Sequence, residues 1–160
     1  MITVEQYWMG REREFAADLT PEVTENAHFL VERVNLVLAR AALEHVFPAA
    51  DLRTGHPIAS GWRPKAVNNA GGTANRTSKH IIGCAIDLRD RLPDRPLARW
   101  CLRNRHVLEE AGLWMPDPRW TPSWIHLQSV PPASGERIYL PAGGAALADP
   151  LPEQRTIPGG

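Results

Sequence analysis

The segment 78–88, SKHIIGCAIDL, constrains the fold of this chain more than any other stretch. From residue 82 onward, apolar residues alternate with small residues and with one aspartate, Asp87, which predicts a loop that runs into a buried β-strand. An ionised carboxylate in an apolar strand is costly unless a cation or several hydrogen-bond donors offset its charge. The fold therefore has to bring a compensating group to Asp87.

Two histidines are placed to help provide that compensation. His80 stands seven residues before Asp87, and His126 lies downstream in the segment WIHLQ. Because Zn²⁺ accepts imidazole nitrogen and carboxylate oxygen and keeps a fourth position for water in catalytic sites, these three residues are candidate zinc ligands. Alternatively, both histidines are hydrogen-bonded core residues and Asp87 caps a turn or pairs with a cation. The spacing alone does not separate the two interpretations.

The remaining thiol and imidazole groups are weaker candidates. Cys84 is a possible further ligand, but strand alternation points it away from Asp87, and a free cysteine is more often a small buried core residue. With only Cys101 beside it, the chain has too few cysteines for a disulfide scaffold. His28 and His45 have no chelating residue one helical turn away, so they are predicted to be surface or boundary residues.

Four short motifs follow one another along the chain: SGWR at 60–63, VNNAGG at 67–72, SxHxxGxAxDL at 78–88 and WIH at 124–126. Together they resemble the motifs of the M15 family of zinc peptidases, which includes D-alanyl-D-alanine carboxypeptidases and phage endolysins, and in particular those of its subfamily A. The similarity extends from about Thr20 to Leu140. It implies the fold of the hedgehog and D-alanyl-D-alanine peptidase domains, with zinc bound by His80, Asp87 and His126.

The resemblance also implies a substrate site. Arg63 occupies the position of the family's substrate-binding arginine, and its planar guanidinium suits bidentate binding of a carboxylate or a peptide oxygen. Ser78 matches the family's serine and is a candidate contact to substrate. Gln128, on the same strand face as His126, is a third candidate. The alternatives are a solvated surface arginine at position 63 and a simple turn residue at position 78.

The general base is where the chain departs from the family pattern. Many relatives carry Glu or Asp three residues before the last zinc histidine, and others carry His two residues before it. Ser123 and Trp124 occupy those positions here, and neither accepts a proton at neutral pH. Asp117, between two prolines in the loop 116–122, is the nearest carboxylate and the candidate base. Its alternative role is that of an ordinary turn former.

Start signals and periodicity predict an α+β domain, because helices segregate from several short strands. A capping box at Thr3 and a Thr20-Pro21 start introduce two helices, the second running to Pro48. A third helix is predicted at 97–111, one helical turn at 65–69, and short strands at 57–62, 113–115, 123–129 and 137–140. The expected sheet is small and mainly antiparallel with flanking helices. Residues 1–140 form the domain, and the segment 141–160, rich in Pro, Gly and Ala, is predicted to be an extended or disordered tail.

Charge and hydropathy limit the partners. The chain carries 18 Lys+Arg and 18 Asp+Glu residues, so neither nucleic acid nor a membrane surface is an expected partner. No apolar run approaches the ~20 residues that span a bilayer, so membrane insertion is not expected. The polar segment 1–13 does not resemble a secretory signal, which predicts synthesis in a cytoplasm. A monomer is expected.

The resemblance therefore implies a zinc-dependent peptidoglycan peptidase. Its substrate would be a wall stem peptide, cut at a bond involving D-alanine or at an L-Ala–D-amino acid bond. Without a secretory signal, such an enzyme would act on the wall in phage lysis, as part of a virion or in wall remodelling. The missing acid near His126 suggests an alternative, a catalytically impaired zinc domain that binds the wall or serves as a virion component.

Overall fold

The computed structural model describes residues 1–70 and 77–141, which form one α+β domain. The predicted tail from residue 142 onward and the glycine-rich segment 71–76 lie outside the described residues. The helices are α1 (Val4–Trp8), α2 (Pro21–Leu43), α3 (Lys65–Ala70), α4 (Pro96–Arg103) and α5 (Arg105–Glu110). The strands are β1 (Ile58–Ser60), β2 (Ala85–Arg89), β3 (Met115–Pro116), β4 (Trp124–Gln128) and β5 (Ile138–Tyr139).

The main sheet has three strands in the order β1-β2-β4, and both pairings are antiparallel. The two-residue strands β3 and β5 pair in parallel, and a bridge between Trp114 and Gln128 connects this short pair to the edge of β4. The prediction of an α+β fold with a small, mainly antiparallel sheet and flanking helices is confirmed. β2 begins at Ala85, later than the alternation from residue 82 predicted.

Helix α2 provides one wall of the core. Thr20 is its N-cap, with the side-chain oxygen accepting a hydrogen bond from the Val23 amide, and Pro21 follows at the first helical position. The buried residues repeat at helical spacing and are Val23, Ala27, Leu30, Val31, Val34, Val37, Leu38 and Ala41. Among the described residues, no helix has both the length and the apolar character needed to cross a bilayer.

Helix α2 ends at Leu43, five residues before the predicted end at Pro48. His45 adopts the left-handed conformation with φ of 57°. The amides of His45 and Val46 each donate 3.0 Å bonds, to the carbonyls of Ala42 and Ala41 respectively, which is the Schellman pattern. The chain therefore turns away before proline can end the helix. His45 and His28 are both exposed, as the sequence predicted.

His45→Gly should raise the free energy of unfolding by ~0.5–1 kcal/mol, because glycine adopts the left-handed conformation without the steric penalty of a β-carbon. His28→Gly is the matched control. It makes the same replacement at an exposed position inside α2 and should destabilise by about 1 kcal/mol. Urea unfolding of the two variants measures both effects, and equal losses in both would contradict the role of His45 at the helix end.

The helix predicted at 97–111 is two helices, and the prediction of a single helix is wrong. Asn104 separates α4 from α5, with φ of −107° and ψ of 41°. Its side-chain amide donates a 3.1 Å bond to the Trp100 carbonyl, and its backbone amide donates to the same oxygen at 2.8 Å. Such side-chain bonds to the preceding turn compete with the regular helical ladder, which explains the break.

Candidate metal centre

The register of β2 and β4 places Asp87 directly opposite His126. Directly opposed residues of an antiparallel pair lie on the same face of the sheet with their β-carbons close together. The two side chains meet there, with Nδ1 of His126 2.8 Å from Oδ1 of Asp87. Residues 39 apart in the sequence are thus brought together by backbone pairing alone.

His80 reaches Asp87 from the tight loop before β2. The loop is closed by a 2.9 Å bond from the Cys84 amide to the Lys79 carbonyl. Gly83 has φ of +77°, and a β-carbon there would lie 2.5 Å from the Val23 carbonyl oxygen of α2. Only glycine fits this contact, so the glycine between the two candidate ligands lets the loop lie against the helix. Nε2 of His80 then lies 3.4 Å from Oδ2 of Asp87.

The SGWR segment fixes the orientation of the His80 ring. Nδ1 of His80 lies 2.8 Å from the Gly61 carbonyl oxygen, and the Arg63 amide donates to the His80 carbonyl at 3.2 Å. A β-carbon on Gly61 would lie 1.9 Å from the Tyr7 carbonyl oxygen, so this position also excludes every larger residue. Two segments that looked like separate motifs therefore form one structural unit.

The ring of His80 has a free electron pair inside the protein. A carbonyl oxygen only accepts hydrogen bonds, so Nδ1 of His80 carries the proton that it donates to Gly61. Nε2 has no hydrogen-bond partner, although the residue is only 1% exposed. Burial lowers the pKa of His80, and the charges of His126 and Arg63 act in the same direction while Asp87 opposes them. A neutral imidazole with a buried, unpartnered nitrogen is the form that binds a metal ion.

The carboxylate between the rings is held in its ionised form. Burial alone would raise the pKa of Asp87, but His80 and His126 together hold it well below its usual range. The ligand atoms of the three residues all lie within 4.8 Å of one another. Within residues 1–70 and 77–141 this is the one group of three or more His, Cys, Asp or Glu residues arranged to hold a metal ion. Cys84 is a buried residue outside this group, in agreement with its expected core role.

Arg63 and Ser78 lie at the open side of the cluster, where they line a cleft of about 710 Å³. Nη2 of the Arg63 guanidinium is 3.7 Å from Oδ2 of Asp87, and the side chain is 33% exposed. Lys79 adds a second cation to the lining. Apart from Asp87, which lies between the two histidines, no Asp or Glu stands among the described residues of this cleft. The cleft thus places the side chains of Arg63 and Lys79 beside three residues whose donor atoms are suited to a metal ion.

Gln128 lines the same cleft, although most of its side chain is buried. It is 5% exposed, and its Nε2 donates to the Val130 carbonyl. Its Oε1 accepts a 2.9 Å bond from the Tyr139 hydroxyl and lies 3.3 Å from Nε2 of His126. Tyr139 was not anticipated as a site residue, although it belongs to the predicted last strand. Burial and the charge of Asp87 raise the pKa of Tyr139 to about 12, so its hydroxyl keeps its proton.

Asp117 is placed differently from the other candidate residues. Its Oδ1 accepts a 3.0 Å bond from the Arg119 amide and caps the short turn Pro118–Trp120. Both carboxylate oxygens also bind the Arg119 guanidinium, the shorter contact being 2.6 Å. Asp117 is not among the residues that line the cleft. The carboxylate between the two prolines thus caps the turn that follows it.

The Arg119 pairing makes Asp117→Asn a sharp test of the candidate base. If the chain hydrolyses wall peptides, as its motifs imply, we expect turnover close to that of the parent protein, because Arg119 engages the carboxylate and Asp117 does not line the cleft. A general base at this position would instead cost ~10²–10⁴-fold in kcat. Single-turnover kinetics on a wall peptide, with zinc content measured in parallel, distinguish the two results.

No family model, no curated protein and no solved structure matches this chain. The cluster of His80, Asp87 and His126 and the cleft above it are therefore the features from which a function has to be inferred.

Proposed function

We propose that the protein is a zinc peptidase of the M15 type, with a hedgehog/D-alanyl-D-alanine peptidase-like fold, that cleaves peptidoglycan stem peptides. The bond would involve D-alanine or join L-alanine to a D-amino acid, and the setting would be phage-mediated lysis or wall remodelling. The observation that carries the proposal is the buried donor set, in which Nε2 of His80 faces Asp87 without a hydrogen-bond partner. A zinc ion held by two histidines and an aspartate would supply Lewis acidity, polarising a carbonyl and lowering the pKa of a coordinated water.

The cationic lining of the cleft supports a peptide with free carboxylates as the substrate. Once a divalent ion offsets the charge of Asp87, Arg63 and Lys79 are left as uncompensated cations of the described lining. The guanidinium of Arg63 also has a buried Nε without a hydrogen-bond partner. Wall stem peptides carry carboxylates, and a forked guanidinium binds such groups in a fixed orientation. Arg63 would therefore orient the substrate, with Ser78 as a neighbouring hydrogen-bonding group on the same wall.

Arg63→Ala should lower kcat/KM by ~10²-fold while leaving the zinc content unchanged, because charged hydrogen bonds are worth about 1.5–3 kcal/mol. Arg63→Lys should recover only part of the loss, since an ammonium cannot form the forked contact. Arg103→Ala, at the exposed end of α4, is the matched control and should behave like the parent. Equal kcat/KM values for all four proteins would remove Arg63 from the substrate site.

The proposed activity is tested directly on purified sacculi. The zinc-loaded protein should release soluble muropeptides whose masses identify the bond that is cut. A chelator should stop the release and added zinc should restore it, whereas His80→Ala should be inactive under every condition. Release that survives both the chelator and the His80 substitution would exclude a zinc peptidase.

One observation favours a second candidate, a zinc domain that binds wall peptides without cutting them. Apart from Asp87, the described cleft residues include no carboxylate that could take a proton from water. In that case the parent protein should co-sediment with sacculi in a zinc-dependent manner and release nothing. Co-sedimentation assays run beside the muropeptide assay separate a binding domain from a peptidase.

A further inference from the structure

A second cavity, which we call the side cavity, opens next to the cleft. It has a volume of about 520 Å³, and its lining includes Lys65, Ser78, Lys79, Ile81 and Ile82. Ser78 and Lys79 line both spaces, whereas Lys65 lines the side cavity and Arg63 lines the cleft. The two spaces are therefore neighbours across one short segment. A ligand in the cleft can extend past Ser78 into the side cavity.

The apolar lining of the side cavity is held in place by hydrogen bonds from two distant segments. The indole nitrogen of Trp62 donates to the Ile81 carbonyl at 3.1 Å, and the side-chain amide of Asn26 on α2 donates to the Ile82 carbonyl at 2.9 Å. Ile82 nevertheless remains 40% exposed. The side cavity thus offers a fixed aliphatic surface with a few polar groups around it, which is the usual composition of a ligand pocket.

Two ammonium groups supply the charge of the side cavity. Lys65 and Lys79 are the only lysines in the chain, and both line this one space. Among the residues that the structure describes, neither forms an ion pair with a carboxylate, and no Asp or Glu lines the side cavity. An ammonium is a compact charge with three donors, which suits a carboxylate. The two features together favour an aliphatic group that ends in a carboxylate.

We propose that the side cavity is a substrate subsite, in which Lys65 and Lys79 bind the carboxylate of an aliphatic side chain that packs on Ile81 and Ile82. The inference rests on the proposed peptidase function and adds to it a second carboxylate, separate from the one that Arg63 binds. A wall stem peptide has two sources of such a group, the γ-linked glutamate and diaminopimelate. Lysine in the place of diaminopimelate brings an ammonium toward two others, so the subsite selects against it.

The first test is the Kd for the stem tetrapeptide L-Ala-γ-D-Glu-diaminopimelyl-D-Ala, measured by calorimetry on zinc-free protein so that the peptide is not cut. The double variant Lys65→Gln/Lys79→Gln should bind ~10-fold more weakly, because it loses hydrogen bonds to a charged group. Lys65→Arg/Lys79→Arg keeps both charges and should recover most of the affinity. Arg91→Gln removes an exposed cation elsewhere and should bind like the parent. Equal Kd values for the parent and the Gln double variant would overturn the proposal.

Amidated peptides identify the carboxylate and separate its charge from any effect on the fold. One peptide carries an amide in place of the glutamate carboxylate, and another carries it in place of the side-chain carboxylate of diaminopimelate. Amidation of the bound group should weaken binding to the parent by ~10-fold and leave the Kd of the Gln double variant unchanged, because that interaction is already lost. The peptide that shows this pattern names the source. If neither amidation weakens binding to the parent, the subsite is wrong.

Muropeptide release from sacculi keeps this inference apart from the proposed activity. If the parent releases nothing but its Kd depends on the two lysines and on one peptide carboxylate, the peptidase is wrong and the side cavity stands as a binding site. If the parent releases muropeptides and the Gln double variant releases them at the same rate with the same Kd, the side cavity is wrong and the peptidase stands.

Discussion

Replacing His80 with alanine should abolish stoichiometric zinc binding. The parent protein, dialysed against zinc and then against buffer, should retain one ion per chain, because two imidazoles and a carboxylate converge within 4.8 Å. His80 is the most informative candidate ligand to replace. Its Nε2, the atom that faces the candidate metal position, has no hydrogen-bond partner in the protein. Elemental analysis of the dialysed proteins measures the difference. Zinc retained at one per chain in His80→Ala would remove this residue from the centre.

The melting temperature, Tm, should also depend on the bound metal ion in the parent protein and not in His80→Ala. A metal that binds only the folded state at 1,000 times its Kd stabilises it by about 4 kcal/mol. For a domain of this size such a stabilisation corresponds to an increase in Tm on the order of 10 °C. Chelation should therefore lower the Tm of the parent and leave that of His80→Ala unchanged. His106→Ala, an exposed histidine in α5, should show the full chelator effect of the parent.

The convergence of His80, Asp87 and His126 was predictable because burying an unpaired carboxylate is costly and because the motifs around these residues are short. Asp87 in an apolar strand demanded a partner, and the alternation in WIHLQ put His126 on one face of a strand. Only the pairing of β2 with β4 was left open, and antiparallel pairing in register joins the two residues. The reasons for Gly61 and Gly83 were not visible in the sequence. Both depend on the backbone of helices distant in the chain.

The sequence did not reveal which of several nearby groups each polar side chain would bind by hydrogen bonds. The residues around Asn104 are compatible with a continuous helix, but its side-chain amide donates a hydrogen bond to the Trp100 carbonyl and the helix ends there. Asp117 is near enough in sequence to His126 to suggest a shared site, yet Arg119 engages its carboxylate. Gln128 shares a strand face with His126, but Val130 and Tyr139 orient it inward. Each outcome depends on small differences in hydrogen-bond geometry, which residue spacing does not encode.

A buried ion pair at the end of β2 supports the strand register that brings Asp87 and His126 together. Asp90 is 1% exposed and accepts bonds from Nε of Arg95 at 3.2 Å and from the Ala98 amide of α4 at 2.9 Å. Arg95 donates in turn to the Trp124 carbonyl of β4 at 2.8 Å. The amide of Asp90 donates to the Ser123 carbonyl at 3.0 Å. The pair therefore connects β2, α4 and the first residue of β4.

Asp90→Ala should destabilise the protein by about 3–5 kcal/mol, because it leaves the Arg95 guanidinium buried without its counter-charge. Arg95→Ala should cost a similar amount, and the double variant should cost much less than the sum, since no unpaired buried charge remains. Asp94→Ala removes an exposed carboxylate from the same loop and should change the free energy of unfolding by less than about 0.5 kcal/mol. Urea unfolding of the four variants, each measured with and without zinc, tests the pairing and its link to the site.

Strictly additive losses would show that Asp90 and Arg95 stabilise the fold independently. A loss of zinc affinity in Asp90→Ala, under conditions where the variant remains folded, would show that this pair holds β2 and β4 in the register that aligns Asp87 with His126.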